Sequence, residues 1–237
     1  PEENYIRPVL APAAVAFTFA QTQNERGQIL PLLVTGYEGD TIKAIDLTQY
    51  GADPDGDIFD AIDLVGDKTL EDLLAAGDNH AAYSVAALVP SGAMVDRHVA
   101  TGTNFAEHAK EAGSNKVFNF PKFGKPTPAR TTLVVEPGTL MDYEVEISIR
   151  FDRDIRSLAD FEAARKGFFL CGDFTDRATL LREIDVRNMA SGRGFSDAKS
   201  GPDYFPTGPF LVVPHDWRSF VANERIVTRV NGEVRQD

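Results

Sequence analysis

One stretch of the chain, residues 141–151, constrains the fold more than any other. Apolar and polar residues alternate from Tyr143 to Arg150, which predicts a strand with one buried side and one side facing solvent. Glu144 and Glu146 share the polar side, about 6.5–7 Å apart at the rise of a strand, and they repel each other. A hard divalent cation removes that repulsion because it prefers carboxylate oxygens. The stretch therefore predicts either an ordinary half-buried strand or one edge of a metal site.

The charge of the chain limits its partners. The formal net charge is −12 and the sequence pI is about 4.8, so the surface repels nucleic-acid phosphates and anionic lipids. Cys171 is the only cysteine, which excludes an internal disulfide and suits a reducing compartment. The apolar run at 10–20 is shorter than a membrane span and follows Glu2 and Glu3 rather than a basic segment. We therefore expect a cytoplasmic protein that binds neither nucleic acid nor membrane.

Two domains are predicted from the strand patterns and the turn residues. Residues 1–90 contain strand-like runs at 15–20 and 29–34, separated by turn signals, and are predicted to form a small N-terminal α+β domain. The Pro90-Ser91-Gly92 sequence marks a boundary. Residues 91–237 are then the second and larger domain, rich in β-structure.

A histidine and a glutamate, His108 and Glu111, are three residues apart in a segment with helical character. On a helix they share one face, where a carboxylate raises the basicity of an imidazole and fixes its tautomer. That is what a general base for water requires. The same spacing also occurs in ordinary exposed pairs on helices, so the two interpretations stay open at this point.

Two further polar residues and one loop belong to the candidate site. Asp173 ends the apolar run 167–172, where an aspartate can serve as a metal ligand or as a helix cap. Lys199 lies near the end of the glycine-bearing loop 191–201. The segment 118–128 is rich in proline and glycine, which predicts an irregular loop able to close over a site. The run 131–136 that follows it is predicted to form a strand.

Four segments in this order resemble the fumarylacetoacetate hydrolase family. They are Gly102-Thr103-Asn104-Phe105-Ala106-Glu107-His108 with Glu111, Asp142-Tyr143-Glu144-Val145-Glu146, Gly172-Asp173-Phe174-Thr175-Asp176-Arg177, and Ala198-Lys199-Ser200 followed by Phe205-Pro206-Thr207-Gly208-Pro209. One such motif would be weak evidence, whereas four in order are specific. The resemblance covers about residues 91 to 213.

The resemblance implies an α+β, β-rich fold, in which a roll of mixed β-sheets is flanked by helices and usually pairs as a homodimer. It also implies that Glu144, Glu146 and Asp173 bind one Mg²⁺, Mn²⁺ or Ca²⁺ ion. Substrates of such proteins are 1,3-dicarbonyl compounds and other 2-oxo acids. A divalent cation acts on these as a Lewis acid, stabilising the negative charge that develops when a carbon–carbon bond breaks.

Catalytic and substrate-binding roles follow from the same resemblance. His108 with Glu111 would activate water, and Lys199 would stabilise negative charge on the substrate. The residues expected to contact the substrate are Arg177, Asn104 and Thr207.

The chain also departs from the family pattern. Hydrolases of the family commonly carry Asp directly after the matched arginine and Gln seven places after the metal aspartate, where this chain has Ala178 and Leu180. Thr101 stands where some members have a further metal aspartate, so we expect three protein ligands. Members usually continue past a segment like 230–237 into a helix and a Gly-Thr-Pro-x-Gly loop. The C-terminal part of the catalytic domain is therefore expected to be missing from this sequence.

Three functions remain open. The first is a metal-dependent hydrolase that cleaves a carbon–carbon bond in an acylpyruvate-like 2-oxo acid. The second is a dehydratase, isomerase or decarboxylase acting on 2-keto-3-deoxy sugar acids or related 2-oxo acids. The third is a metal-binding scaffold without catalysis, which the retention of His108, Glu111 and Lys199 disfavours.

Overall fold

The computed structural model describes residues 9–104 and 116–236. These residues form two compact units. The first contains the described residues of Pro1–Ser91, Ser148–Phe169 and Gly208–Arg225, and the second contains those of Gly92–Ile147, Leu170–Thr207 and Ile226–Asp237. The chain first passes between units from Ser91 to Gly92, at the predicted boundary, but two later segments return to the first unit. The division into domains 1–90 and 91–237 stays a prediction.

Short strands predominate over short helices in the described chain. The strands are β1 (Ala16–Gln23), β2 (Ile29–Glu38), β3 (Thr41–Asp46), β4 (Ala81–Ser84), β5 (Arg97–Gly102), β6 (Phe118–Phe123), β7 (Thr127–Pro128), β8 (Met141–Asp142), β9 (Val145–Phe151), β10 (Lys166–Gly172), β11 (Thr175–Asp176), β12 (Pro206–Thr207), β13 (Leu211–Pro214), β14 (Thr228–Val230) and β15 (Glu233–Gln236). The helices are α1 (Ile58–Val65), α2 (Asp67–Ala76), α3 (Leu158–Ala163), α4 (Arg177–Glu183), α5 (Phe195–Lys199) and α6 (Trp217–Asn223).

The first unit is built on an antiparallel meander of β1 to β4, which confirms the strands predicted at 15–20 and 29–34. In this unit the sheet continues from β1 to β13, and β13 pairs with β10 at Phe168. Side chains of β1 and β2 fill the core, among them Phe17, Phe19, Leu32 and Leu33. These four side chains are at most 1% exposed, so burial of this apolar surface is a main source of the unit's stability.

Two helices cover part of the first unit. The side chain of Asp57 accepts a hydrogen bond from the backbone N–H of Phe59 and so caps α1. Ile58 and Ile62, four residues apart, are buried on one face of that helix. Gly66, at a φ of +79°, lies between α1 and α2 and allows the second helix to start in a new direction.

The second unit is a set of small two-stranded pairings. Strand β5 pairs antiparallel with β6, β8 with β11, and β14 with β15, while β12 pairs parallel with β7. The end of β10 belongs to this unit and pairs with β12 through Cys171 and Thr207. These pairings bring the ends of β8, β9, β10 and α5 to one place, where the candidate site lies.

Three predicted elements of the second unit differ from the structure. The strand predicted across 141–151 is interrupted at Tyr143 and Glu144, which separate β8 from β9. The loop predicted at 118–128 begins with a regular strand, β6, because its alternating residues pair with β5. The segment 131–136, expected to be a strand, forms none.

None of the helices within 9–104 and 116–236 is long and apolar enough to cross a membrane.

Candidate active site

The three predicted metal-binding carboxylates belong to the second unit, where Glu144 and Asp173 lie side by side and Glu146 is near enough for their charges to raise its pKa. Glu144 stands in the interruption between β8 and β9, Glu146 lies in β9, and Asp173 follows the end of β10. The backbone N–H of Asp173 donates to the carbonyl oxygen of Glu144 at 2.8 Å, which fixes the two residues side by side. The bond is in register with the pairing of β8 and β11, in which Asp142 lies opposite Thr175, and it extends that pairing to Glu144.

Lys199 joins two of these carboxylates. Its Nζ donates to Oε2 of Glu144 at 2.8 Å and to Oδ2 of Asp173 at 2.6 Å. The lysine side chain is 5% exposed, so water screens these charges little. It reaches the carboxylates from the last residue of α5, a five-residue helix. The structure thus brings together Glu144, Asp173 and Lys199, as the resemblance implied.

A second buried lysine, Lys122, also contacts Asp173 and was not identified from the sequence. Its Nζ donates to Oδ1 of Asp173 at 2.7 Å and to the backbone carbonyl of Lys199, and it lies 5.6 Å from the centre of the Phe205 ring. Burial lowers the pKa of Lys122, an effect that the neighbouring carboxylate of Asp173 opposes. The signal was the alternation in β6, where Phe118, Phe120 and Lys122 all point inward.

Arg177, predicted to contact the substrate, forms ion pairs with acidic residues of the site. Its Nε donates to Oδ2 of Asp142 and its Nη2 to Oε1 of Glu144, at 2.7 and 2.5 Å. The hydroxyl of Thr175 lies 3.5 Å from the same oxygen of Glu144. The guanidinium group of Arg177 therefore orients Glu144. The contact expected between Arg177 and a substrate stays a prediction.

The remaining predicted residues have different surroundings. His108 and Glu111 lie outside the described residues. Asn104 is exposed. Thr207 is 1% exposed, and its hydroxyl has no hydrogen-bond partner among the described residues. Leu180, at 6% exposure, is buried within α4.

Comparison with known proteins decides the family. The model described as "Fumarylacetoacetate (FAA) hydrolase C-terminal" matches residues 97–237, more than half of the chain. The chain belongs to the fumarylacetoacetate hydrolase family. No curated protein matches the sequence.

Solved structures share its fold. The protein Cg1458, solved with an inhibitor, aligns with a TM-score of 0.54 at 15% identity, over 93% of this chain and 75% of that one. The fumarylacetoacetate hydrolase of Exiguobacterium antarcticum aligns with a TM-score of 0.50 at 19% identity, over 93% and 74%. The 5-carboxymethyl-2-hydroxymuconate delta-isomerase of Mycobacterium smegmatis gives 0.50 at 17% identity, over 92% and 73%. These likenesses confirm the expected strand-rich α+β fold.

The donor groups of this family member suit a hard divalent cation. Glu144, Glu146 and Asp173 offer carboxylate oxygens, and the carboxylate of Glu146 accepts no hydrogen bond from any described residue in the structure. However, the described residues contain no group of three or more His, Cys, Asp or Glu side chains arranged to hold a metal ion. The Nζ of Lys199 bridges Glu144 and Asp173, two of the three residues that would hold a cation.

Glu146 carries the clearest electrostatic signature in the site. The pKa of Glu146 is raised from 4.5 to about 7, mainly by burial and then by the negative charges of Glu144 and Asp173. Lys199 opposes this effect. The folded chain therefore retains a proton on Glu146 over a pH range in which the unfolded chain has lost it.

The raised pKa of Glu146 predicts that the stability of the folded chain depends on pH when a chelator keeps the site free of metal. Between pH 4.5 and about 7 the folded state binds more protons at Glu146 than the unfolded state, so the free energy of unfolding falls as the pH rises. Glu146→Gln removes this contribution. We expect the stability of the variant relative to the native chain to increase from pH 5 to pH 7.5 and then to level off, as measured by urea unfolding. A relative stability that is constant across this range would contradict the raised pKa.

Proposed function

We propose that this chain is a divalent-metal-dependent enzyme that cleaves a carbon–carbon bond in an acylpyruvate or a related 1,3-dicarbonyl 2-oxo acid. The main support is the cluster formed by Glu144, Glu146 and Asp173 with the buried ammonium group of Lys199. A half-buried strand without function does not require acidic and basic groups from separate segments to meet away from water, where each costs desolvation energy. Membership of the fumarylacetoacetate hydrolase family supports an enzymatic function.

The residues have separate roles in this proposal. Glu144, Glu146 and Asp173 would hold the cation, which supplies a Lewis acid for the negative charge that develops on the substrate. His108, oriented by Glu111, would remove a proton from water. Lys199 would neutralise negative charge on the bound 2-oxo acid.

The charges of the site favour an anionic substrate once a cation is bound. Acidic side chains at Asp142, Glu144, Glu146 and Asp173 are opposed by the cationic groups of Lys122, Lys199 and Arg177. The cationic groups fall one short of the acidic ones when all are ionised. A divalent cation reverses that balance, so the complete site attracts a carboxylate rather than repelling it.

A second candidate is supported by Leu180. This residue is buried in α4 and carries no hydrogen-bond donor at the position where hydrolases of the family commonly have glutamine. Hydrolysis requires donors for the oxyanion of a tetrahedral intermediate, whereas dehydration, isomerisation and decarboxylation of 2-oxo acids require chiefly stabilisation of an enolate. A lyase or isomerase acting on 2-keto-3-deoxy sugar acids or oxaloacetate is therefore the alternative.

A substrate panel tests the proposal. Acylpyruvates, oxaloacetate and 2-keto-3-deoxy sugar acids are each incubated with the protein and Mg²⁺ or Mn²⁺, and with a chelator in parallel. Loss of the diketone absorbance with acylpyruvates, only when metal is present, is the expected result. Turnover restricted to the other 2-oxo acids would favour the alternative, and the absence of any turnover would favour a scaffold.

The proposed base gives a further prediction. His108→Ala is expected to lower turnover by about 10²–10⁴-fold, as for loss of a general base, because it removes the group that accepts the proton of water. Metal affinity, measured by calorimetry, should stay nearly unchanged. A parallel loss of metal affinity would instead identify His108 as a metal ligand.

A further inference from the structure

The ammonium group of Lys199 lies on the same oxygens that the proposed cation would use. Its distances of 2.8 Å to Oε2 of Glu144 and 2.6 Å to Oδ2 of Asp173 are those of charge-assisted hydrogen bonds. A divalent cation bound to these oxygens would stand close to the ammonium group, and two positive charges at such a separation repel strongly in a site with little water.

The other oxygens of the two carboxylates also have cationic partners. Oε1 of Glu144 accepts from Arg177 at 2.5 Å, and Oδ1 of Asp173 accepts from Lys122 at 2.7 Å. Every carboxylate oxygen of Glu144 and Asp173 is therefore held by a positive group. Each of these oxygens can accept a second partner, but a cation bound there would lie beside the positive groups and repel them.

Lys199 is the group whose departure would free one oxygen on each carboxylate. Arg177 holds Glu144 but makes no bond to Asp173, and its guanidinium is also bound to Asp142. Lys122 holds Asp173 and is fixed further by the backbone carbonyl of Lys199 and by the ring of Phe205. Lys199 Nζ has no acceptor among the described residues other than Glu144 and the oxygens of Asp173.

We propose that Lys199 competes with the divalent cation for Oε2 of Glu144 and Oδ2 of Asp173, and that binding of the cation releases its ammonium group. The inference rests on the proposed function and adds regulation to it. The positive charge that neutralises the anionic substrate becomes available only when the cation is in place. Lys199 also weakens the affinity of the site for the cation. The chain therefore binds the metal less tightly, and its lysine is released when the metal binds.

Calorimetric titration with MnCl₂ and MgCl₂ tests the competition without relying on activity. The proteins compared are the native chain, Lys199→Met and the matched control Lys122→Met, all freed of metal beforehand with a chelator. Both substitutions remove one buried positive charge from Asp173, but only the first removes it from the oxygens that the cation needs. We expect Lys199→Met to bind Mn²⁺ at least about tenfold more tightly than the native chain, and Lys122→Met to differ by less than about threefold.

Lys199→Gln extends the test if Lys199→Met does not fold, because glutamine keeps a hydrogen-bond donor for the carboxylates without the charge. Its thermal midpoint should rise more on addition of Mn²⁺ than that of the native chain, since tighter binding to the folded state gives a larger shift.

The outcomes separate this inference from the proposed function. Native binding of Mn²⁺ with equal tightening in both lysine variants, or with weaker binding in Lys199→Met, would overturn the competition while leaving the metal-dependent function intact. Binding by the Lys199 variants but not by the native chain would support the competition and reject metal dependence of the native chain. Absence of binding in every protein would overturn both.

Discussion

Glu146→Gln is expected to abolish metal-dependent turnover while leaving the protein folded. Glu146 is the carboxylate of the cluster that no described residue engages by a hydrogen bond, and it lies near the charges of Glu144 and Asp173. Glutamine keeps the size of the side chain but cannot supply a negative charge to a hard cation. We expect Mn²⁺ affinity to fall by more than the roughly 10–100-fold typical of losing an outer-shell partner of a metal ligand.

Calorimetry and the substrate panel measure this effect. The matched control is Glu183→Gln. Glu183 is the last residue of α4 and takes no part in the ion pairs that the described residues of the site form, so this variant should retain native metal affinity. If Glu146→Gln binds Mn²⁺ as the native chain does, Glu146 is not a ligand and the cluster has another role.

Asp173→Ala is expected to cause the largest loss of stability of any substitution in the site. The carboxylate of Asp173 accepts from both Lys122 and Lys199, whose side chains are 3% and 5% exposed. Its removal leaves two buried ammonium groups without their shared partner. Breaking a buried ion pair in this way costs about 3–5 kcal/mol.

Urea unfolding in the presence of a chelator measures the loss without any contribution from metal. Asp72→Ala serves as the control, because Asp72 forms an exposed ion pair with Lys68 and its removal should leave the unfolding midpoint unchanged within error. Asp173→Asn keeps one oxygen acceptor for the two lysines and should lose less stability than Asp173→Ala. A midpoint for Asp173→Ala equal to that of the native chain would show that the two lysines do not depend on Asp173.

The sequence predicts the members of the cluster better than their surroundings. The motifs around Glu144, Asp173 and Lys199 identified residues from three separate segments, and the structure brings them into contact. Spacing alone left Asp173 open between a ligand and a helix cap. Its position became clear only from the pairing that sets the end of β10 beside Glu144.

Long-range contacts explain what the sequence did not predict. The alternation across 141–151 is regular, yet the segment forms two strands, of which β8 pairs with β11 and β9 does not. The run 131–136 has strong β-propensity but forms no strand, because propensity stabilises a strand only where a neighbour pairs with it. The proline and glycine in 118–128 led to the prediction of a loop. The alternation of buried and exposed residues in 118–123, which places the side chain of Lys122 inside, was therefore missed.

The Nζ of Lys122 donates a hydrogen bond to the backbone carbonyl of Lys199, and this bond couples the positions of the two lysines. Because the ammonium group of Lys122 holds the backbone of Lys199, a substitution at Lys122 is expected to shift the backbone that carries the Lys199 side chain. Their effects on the free energy of unfolding should therefore be non-additive, with a coupling that a double-mutant cycle can measure. A mutational survey that scored the two positions separately would count part of a single interaction twice.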